Sequence, residues 1–169
     1  TTTYPKAKYL SLGYDPREDR LILTAHLQDG TSCKVLITRR LLSMLLERLS
    51  SELSSTHPAA ANSPNPDEVL QMEHVASVQG SKSEKGEQAS AKINPTHLAT
   101  SAQIETQEDG HIILGLKGDD QPIAAILLSR EKTHQILRFF SELAEKAGWG
   151  LDNKAVWMEP LRYGMHNRS

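Results

Sequence analysis

Two segments of this chain carry nearly the same pattern of apolar and polar residues, 91 positions apart. Residues 17–53 can be moved forward onto residues 108–144 without a gap, and the apolar positions then coincide, as Ile22 does with Ile113. A long internal repeat predicts two copies of one structural unit. It therefore restricts the folds open to this chain more than any other feature of the sequence.

The first copy predicts two strands joined by a tight turn and followed by a helix. Apolar and polar residues alternate over 21–28 and again over 32–37, which is the period of a strand with one buried face. Asp29-Gly30 lies between them and is typical of a hairpin turn, because glycine accepts a positive φ. Thr38 is placed to cap a helix. The helix then carries one apolar stripe, formed by Leu41, Leu42, Leu45, Leu46, Leu49 and Leu53.

The second copy repeats this design. Residues 112–116 alternate, a Gly-Asp-Asp turn follows at 118–120, and 123–128 form an almost continuous apolar run. Ser129 occupies the helix-cap position, and Gly148 is a typical helix stop. The second copy is therefore predicted to contain the same hairpin and helix as the first.

A further strand is expected ahead of each hairpin, over residues 8–12 and 101–106. Each copy then has one apolar sheet face and one apolar helix face, and packing the copies together encloses one core. We predict an α+β fold made by tandem duplication of a β-β-β-α unit, with a pseudo-twofold axis. Its sheet is expected to be mostly antiparallel, with about six strands backed by two helices. The alternative is two small domains on a tether, each marginally stable alone.

The repeat divides the chain into four parts. Residues 1–53 form the first βββα repeat and 99–148 the second. Residues 54–98 form a linker or insert rich in small and polar residues, with a short helix over about 66–79. This helix can pack on its own domain, exchange with a second copy or bind another protein. Residues 149–169 form an apolar C-terminal tail, which we expect to pack across the body or onto a neighbour.

Composition argues against several classes of protein. The 169 residues include 19 basic and 21 acidic ones, which leaves a net charge of −2, and only 5% are aromatic. Charges so evenly mixed do not strongly attract nucleic acid or membranes. No apolar run approaches the roughly 20 residues that cross a bilayer. The single Cys33 excludes an internal disulfide and is predicted to be buried. With no signal-peptide pattern, we expect a cytoplasmic protein.

No catalytic motif is found in the sequence. It contains no glycine-rich phosphate loop, no nucleophile elbow and no zinc-binding helix pattern. We therefore predict no catalytic residue, no cofactor and no metal site. Glu73 and His74 are neighbours on the predicted insert helix and so point in different directions. His134 is placed on the polar side of the second helix, and His26 on a solvated strand face.

Four large side chains are the candidate contacts with a protein partner: Met44, Phe139, Trp157 and Tyr163. Met44 and Phe139 lie away from the apolar stripes of their helices, whereas Trp157 and Tyr163 belong to the apolar tail. Exposed residues of these types often mark interfaces, because they bury a large area on contact.

Arg39 and Arg40 are the candidate contact for an anion such as phosphate. They lie in the first turn of the first helix, where free backbone N–H groups and the helix dipole favour negative charge. The alternative interpretation is an ordinary solvated helix start.

The leading hypothesis is a non-enzymatic protein-interaction or scaffold module. We expect it to associate with itself or with a protein partner, for instance through an exposed strand edge. The first alternative is a module that binds single-stranded nucleic acid or a phosphate ligand through the polar sheet face or the Arg39–Arg40 helix start, although nucleic acid is not favoured. The second alternative is an enzyme with a site between the repeats, for example around His26 and Arg20.

Overall fold

The computed structural model describes residues 3–79, 93–152 and 154–159. These residues form an α+β fold with one seven-stranded mixed sheet and three α-helices. The strands are β1 Lys6–Asp15, β2 Arg20–Leu27, β3 Ser32–Ile37, β4 Ile93–Leu98, β5 Ser101–Thr106, β6 Ile112–Gly118 and β7 Gln121–Leu128. The α-helices are α1 Arg39–Thr56, α2 Pro66–Gln79 and α3 Arg130–Ala147, and short 3-10 turns lie at Ala60–Asn62 and Val156–Met158.

The ends of α1 and α3 confirm the predicted capping residues. The Thr38 hydroxyl accepts a hydrogen bond from the backbone N–H of Leu41 at 3.1 Å, and the Ser129 hydroxyl accepts one from Lys132 at 3.1 Å. Gly148 ends α3 with a φ of 71°, in the left-handed region where glycine carries no steric cost. Local sequence signals therefore set these helix boundaries.

The strand order is β4-β3-β2-β1-β7-β6-β5. Pairs within β1–β3 and within β5–β7 are antiparallel, whereas β1 with β7 and β3 with β4 are parallel. Four of the six pairings are antiparallel, but the sheet is mixed and has seven strands, so the predicted six-stranded sheet is not confirmed. The extra strand, β4, lies in the segment that was interpreted as linker. Both parallel junctions join strands that are distant in sequence, and local alternation does not specify such pairings.

The two ends of this strand order meet. Although β4 and β5 stand at opposite ends of the order, only Ala99 and Thr100 separate them along the chain. The N–H of Ala99 donates to the carbonyl of Leu36 in β3 at 3.0 Å, and that of Thr100 donates to Lys117 in β6 at 2.8 Å. Neighbouring Cα atoms are about 3.8 Å apart. The sheet therefore curves round on itself, with β4 and β5 as one interrupted strand between β3 and β6.

The two halves contain their elements in the same order, β1-β2-β3-α1 and β5-β6-β7-α3. Helices α1 and α3 are both 18 residues long and begin at Arg39 and Arg130, the same offset as the sequence repeat. The duplication and its pseudo-twofold axis stay predictions, which this order of elements supports.

Both halves contribute side chains to one hydrophobic cluster. Leu23 and Leu49 from the first half and Leu114 and Phe140 from the second are at most 1% exposed. Cys33 is buried at 3% exposure, as predicted. In the described part of the chain, no helix combines the length and hydrophobicity needed to cross a bilayer.

Candidate functional site

A polar cluster joins α2 to α1 and α3. It consists of Glu73 and His74 from α2, Arg130 and His134 from α3, and His57, which directly follows α1. We refer to these five side chains as the Glu73 cluster. Polar side chains concentrated between packed helices need matched partners, because leaving a buried polar group unpaired is costly.

The Glu73 carboxylate is held on both oxygens. Arg130 donates from Nε to Oε2 and from Nη2 to Oε1, each at 2.9 Å, which is the bidentate geometry that arginine forms with carboxylates. Nη1 and Nη2 of Arg130 also donate to the Thr56 hydroxyl at 2.7 Å and the Leu53 carbonyl at 2.8 Å. Nε2 of His57 lies 3.4 Å from Glu73 Oε2. Arg130 therefore joins the C-terminal end of α1 to α2.

His134 lies between the two adjacent residues of α2. Its Nε2 is 2.6 Å from Oε1 of Glu73, and its Nδ1 is 2.9 Å from Nδ1 of His74. An ionised carboxylate can only accept, so Nε2 of His134 carries the hydrogen of the first bond. The Trp157 ring packs edge-on against both imidazoles, with centroids 5.4 Å from His74 and 5.3 Å from His134. His134 is fully buried.

The surroundings shift two pKa values in this cluster. Burial by itself would raise the pKa of Glu73, but hydrogen bonds from His134 and Arg130 outweigh it and lower the pKa to about 2. Burial lowers the pKa of His74 to about 4, and the neighbouring His134 and Arg138 act in the same direction. At neutral pH, Glu73 is therefore ionised and His74 is uncharged.

The polar side of α3, where the sequence places His134, is covered by α2 and is therefore buried. Residues 133–137 of α3 are all buried, which an amphipathic helix on a sheet does not show. The sequence separates His134 from Glu73 by 61 positions, so only the packing of α2 reveals their contact. Among the described residues, no group of three or more His, Cys, Asp or Glu side chains is arranged to hold a metal ion.

Arg39, a candidate anion contact, is paired with a carboxylate of its own chain. Its Nη2 lies 3.6 Å from Oδ2 of Asp19, and its Cζ lies 5.8 Å from the centroid of the Trp149 ring. Oδ1 of Asp19 accepts from the Tyr14 hydroxyl at 2.6 Å and from Trp149 Nε1 at 2.7 Å, and these hydrogen bonds lower the pKa of Asp19. Arg40 is exposed.

The first residues of α1 and α3 therefore share a feature. Arg39 and Arg130 occupy corresponding positions of the repeat, and each contacts a carboxylate from another part of the chain, Asp19 and Glu73 respectively. The positive charge that made Arg39 a candidate phosphate contact is thus partly balanced within the fold.

The candidate interface residues differ in how much surface they present. Met44 and Phe139 are partly buried, and Met44 packs against the core. Trp157 is only 3% exposed, and its Nε1 donates to the Ser54 hydroxyl at 3.3 Å, so little of its ring remains for a partner. Tyr163 lies outside the described residues.

His26 belongs to a hydrogen-bonded group on β1, β2 and β3. Its Nε2 lies 2.9 Å from the Ser11 hydroxyl, its Nδ1 lies 3.0 Å from the Ser32 hydroxyl, and its ring stacks on Tyr9 with centroids 4.3 Å apart. Arg20 is six residues away on the same strand face, which corresponds to about 20 Å. His26 and Arg20 therefore do not converge on one reacting atom.

Apolar side chains form two groups on the outward face of the sheet, opposite the core. Ile22 in β2 pairs with Leu36 in β3, which pairs with Leu98 in β4. In the other half, Ile113 in β6 pairs with Leu127 in β7. Leu98 is 46% exposed and Leu127 is 56% exposed, while the other three are partly exposed. We call these five residues the outer apolar residues.

No protein-family model matches the chain, and no match is found among curated proteins or solved structures.

Proposed function

We propose that this protein is a non-enzymatic interaction module that associates with itself through the outward face of its sheet. The observation that carries this proposal is the exposure of Leu98 and Leu127 at the ends of in-register apolar pairs. A single exposed leucine is ordinary on a protein surface. Adjacent apolar side chains on neighbouring strands form a continuous surface, and such surfaces favour burial against a partner.

The position of this surface suggests how two copies meet. The sequence repeat aligns the Ile22–Leu36 pair with the Ile113–Leu127 pair, so one chain carries two similar apolar surfaces. Association of like surfaces related by a twofold axis closes as a dimer. Pairing through a sheet edge has less support, because the two ends of the strand order meet at Ala99 and Thr100.

The proposal is tested by measuring the oligomeric state with sedimentation velocity over a wide range of protein concentrations. We expect concentration-dependent association of the natural chain. The substitution Leu127→Lys is expected to weaken association by at least about tenfold, because a charge then has to be buried in the contact. Met72→Lys is the matched control, since Met72 is 69% exposed but lies on α2 rather than on the sheet.

Two results would contradict this proposal. One is a natural chain that stays monomeric at every concentration. The other is equal weakening by Leu127→Lys and Met72→Lys, which would place the contact elsewhere or make it nonspecific.

A second candidate function is binding of single-stranded nucleic acid on the same face of β1–β3. The observation that favours it is the stack of Tyr9 on His26, since aromatic rings on a sheet face provide platforms for bases. Arg20 and Lys34 alternate with buried residues on β2 and β3, and so project from this face as well.

This candidate is tested by fluorescence anisotropy with a labelled single-stranded oligonucleotide at low and high salt. Binding that weakens steeply with salt, and by about tenfold on Tyr9→Ala, would support it. Tyr4→Ala is the matched control, because Tyr4 lies over Gly115 in the other half of the sheet. Absent binding, or equal effects of the two substitutions, would reject a site at Tyr9.

A further inference from the structure

We infer that acid releases α2 from the body of the protein through the buried contact between His74 and His134, while the sheet stays folded. The contact lies at the centre of the Glu73 cluster, which joins α2 to both other helices. This inference concerns the attachment of α2 and does not depend on the proposed function.

The pair formed by His74 and His134 can hold only a limited number of protons while the two rings stay in contact. The two Nδ1 atoms are 2.9 Å apart, so one hydrogen fits between them and a second would place two N–H groups against each other. Nε2 of His134 already holds a hydrogen against Glu73. One further proton can be added without breaking the contact, on Nε2 of His74. His74 is only 7% exposed, and a charge there loses its hydration.

The charged groups around His74 divide by helix. On α3, Arg138 and Arg130 are positive, and His134 directly contacts the ring. On α2 itself, Glu73 is negative, but both of its oxygens are engaged by Arg130 and one by His134. A proton on His74 therefore gains limited attraction from Glu73.

His57 also contacts Glu73, since its Nε2 lies 3.4 Å from Oε2 at the end of α1. The substitution His74→Gln is expected to reduce the release of α2 by acid, because it removes the buried ring on which a charge would lose its hydration.

Release of α2 has consequences for the surrounding residues. Trp157 packs on both imidazoles, and Gln71 of α2 donates to the carbonyl of Glu159 at 3.3 Å. Separation of α2 from α3 would expose these rings and free the segment 156–159. The strands pair through backbone bonds that involve none of these side chains.

The test is amide hydrogen exchange of the full chain at about pH 7.5 and about pH 5, corrected for the intrinsic effect of pH on exchange. Glu73, with a pKa of about 2, stays ionised across this range. For a histidine whose pKa falls from 6.5 to about 4 on docking, protection of α2 should drop by roughly 30-fold. Amides of β2 and β6 should keep their protection.

The variant His74→Gln is measured in the same way, with His97→Gln as the control because His97 is exposed. In His74→Gln, the protection of the α2 amides should fall by less than about threefold between the two pH values. In His97→Gln, it should fall as much as in the natural chain. Equal loss of protection in α2 and the sheet would overturn the inference, as would a full pH response in His74→Gln. If His74→Gln does not fold, the comparison of α2 with the sheet in the natural chain decides.

Discussion

Nδ1 of His74 lies 2.9 Å from Nδ1 of His134, and the two residues belong to different helices, α2 and α3. Because one hydrogen serves both nitrogens, the contact forms only with matched protonation of the two rings. A polar contact of this kind adds less stability than apolar packing, but it specifies which surfaces meet. Together with the Arg130–Glu73 pair, it contributes to the attachment of α2, a helix without one clean apolar stripe.

Removing the charge of Glu73 should destabilise the fold strongly. In Glu73→Gln, the Arg130 guanidinium loses its carboxylate partner in a largely buried place, and a single amide oxygen replaces the two oxygens that accept from Arg130 and His134. Breaking such a pair from one side costs about 3–5 kcal/mol. Urea unfolding followed by circular dichroism measures this change.

The matched control is Glu142→Gln, which makes the same chemical change in an exposed pair with Arg138. Exposed pairs of this type contribute about 0–1 kcal/mol. Similar losses of stability in the two variants would show that the Glu73 cluster is no more important than a surface ion pair.

The free energy of unfolding should fall in two steps as pH is lowered. His74 has a depressed pKa of about 4 against 6.5 in the free side chain, so its contribution is present above pH 6.5 and is lost as pH falls towards 4. Glu73 has a pKa of about 2 against 4.5, so its contribution is lost below pH 4.5. Each step corresponds to about 3 kcal/mol.

Urea midpoints measured at about pH 7.5, about pH 5.5 and about pH 4 would show the first step. His74→Gln should flatten the profile over this range. A stability that is constant from neutral pH down to pH 4 in the natural chain would contradict the assigned environment of His74.

Closure of the sheet can be tested at Gly118. A Cβ atom at this position would lie 2.7 Å from the backbone oxygen of Leu98, at the place where the ends of the strand order meet. Gly118→Ala is therefore expected to cost about 1–3 kcal/mol, because backbone has to move. Thermal unfolding is a sufficient measurement.

The matched control is Gly13→Ala on β1, where a Cβ would meet no atom within 4 Å. This substitution is expected to be neutral or stabilising by about 0.5 kcal/mol, since alanine restricts the unfolded chain. If Gly118→Ala is as well tolerated as Gly13→Ala, β4 does not lie as close to β6 as the structure places it.

The contribution of Asp19 to the stability of the fold should come from the hydrogen bonds that its oxygens accept more than from its charge. Asp19→Ala leaves Trp149 Nε1 and the Tyr14 hydroxyl without their acceptor, and it places alanine at a φ of 54°. We expect Asp19→Ala to lower the free energy of unfolding. Asp19→Asn keeps an acceptor and tolerates this φ, so it should lower the free energy of unfolding less. Equal losses in both variants, measured by urea unfolding, would assign the effect to the ion pair with Arg39.

Local sequence pattern determined the helices and all the strands except β4. Alternation with a period of two predicted strands over 8–12 and 101–106, and the structure has β1 Lys6–Asp15 and β5 Ser101–Thr106 there. Thr38, Ser129 and Gly148 marked helix ends correctly. These features depend on residues close together in the chain, so their physical causes are visible in the sequence.

The joining of elements was decided only by tertiary structure. The parallel pairings of β1 with β7 and β3 with β4 connect distant strands, and β4 had no strand signal of its own in the segment interpreted as linker. The Glu73 cluster has the same origin. His134 is fully buried because α2 packs over it. The pattern of residues within α3 does not indicate that a second helix packs against this side. The sequence alone therefore determined the three α-helices and six of the seven strands, whereas long-range packing determined β4, sheet order, closure and the partners of buried polar groups.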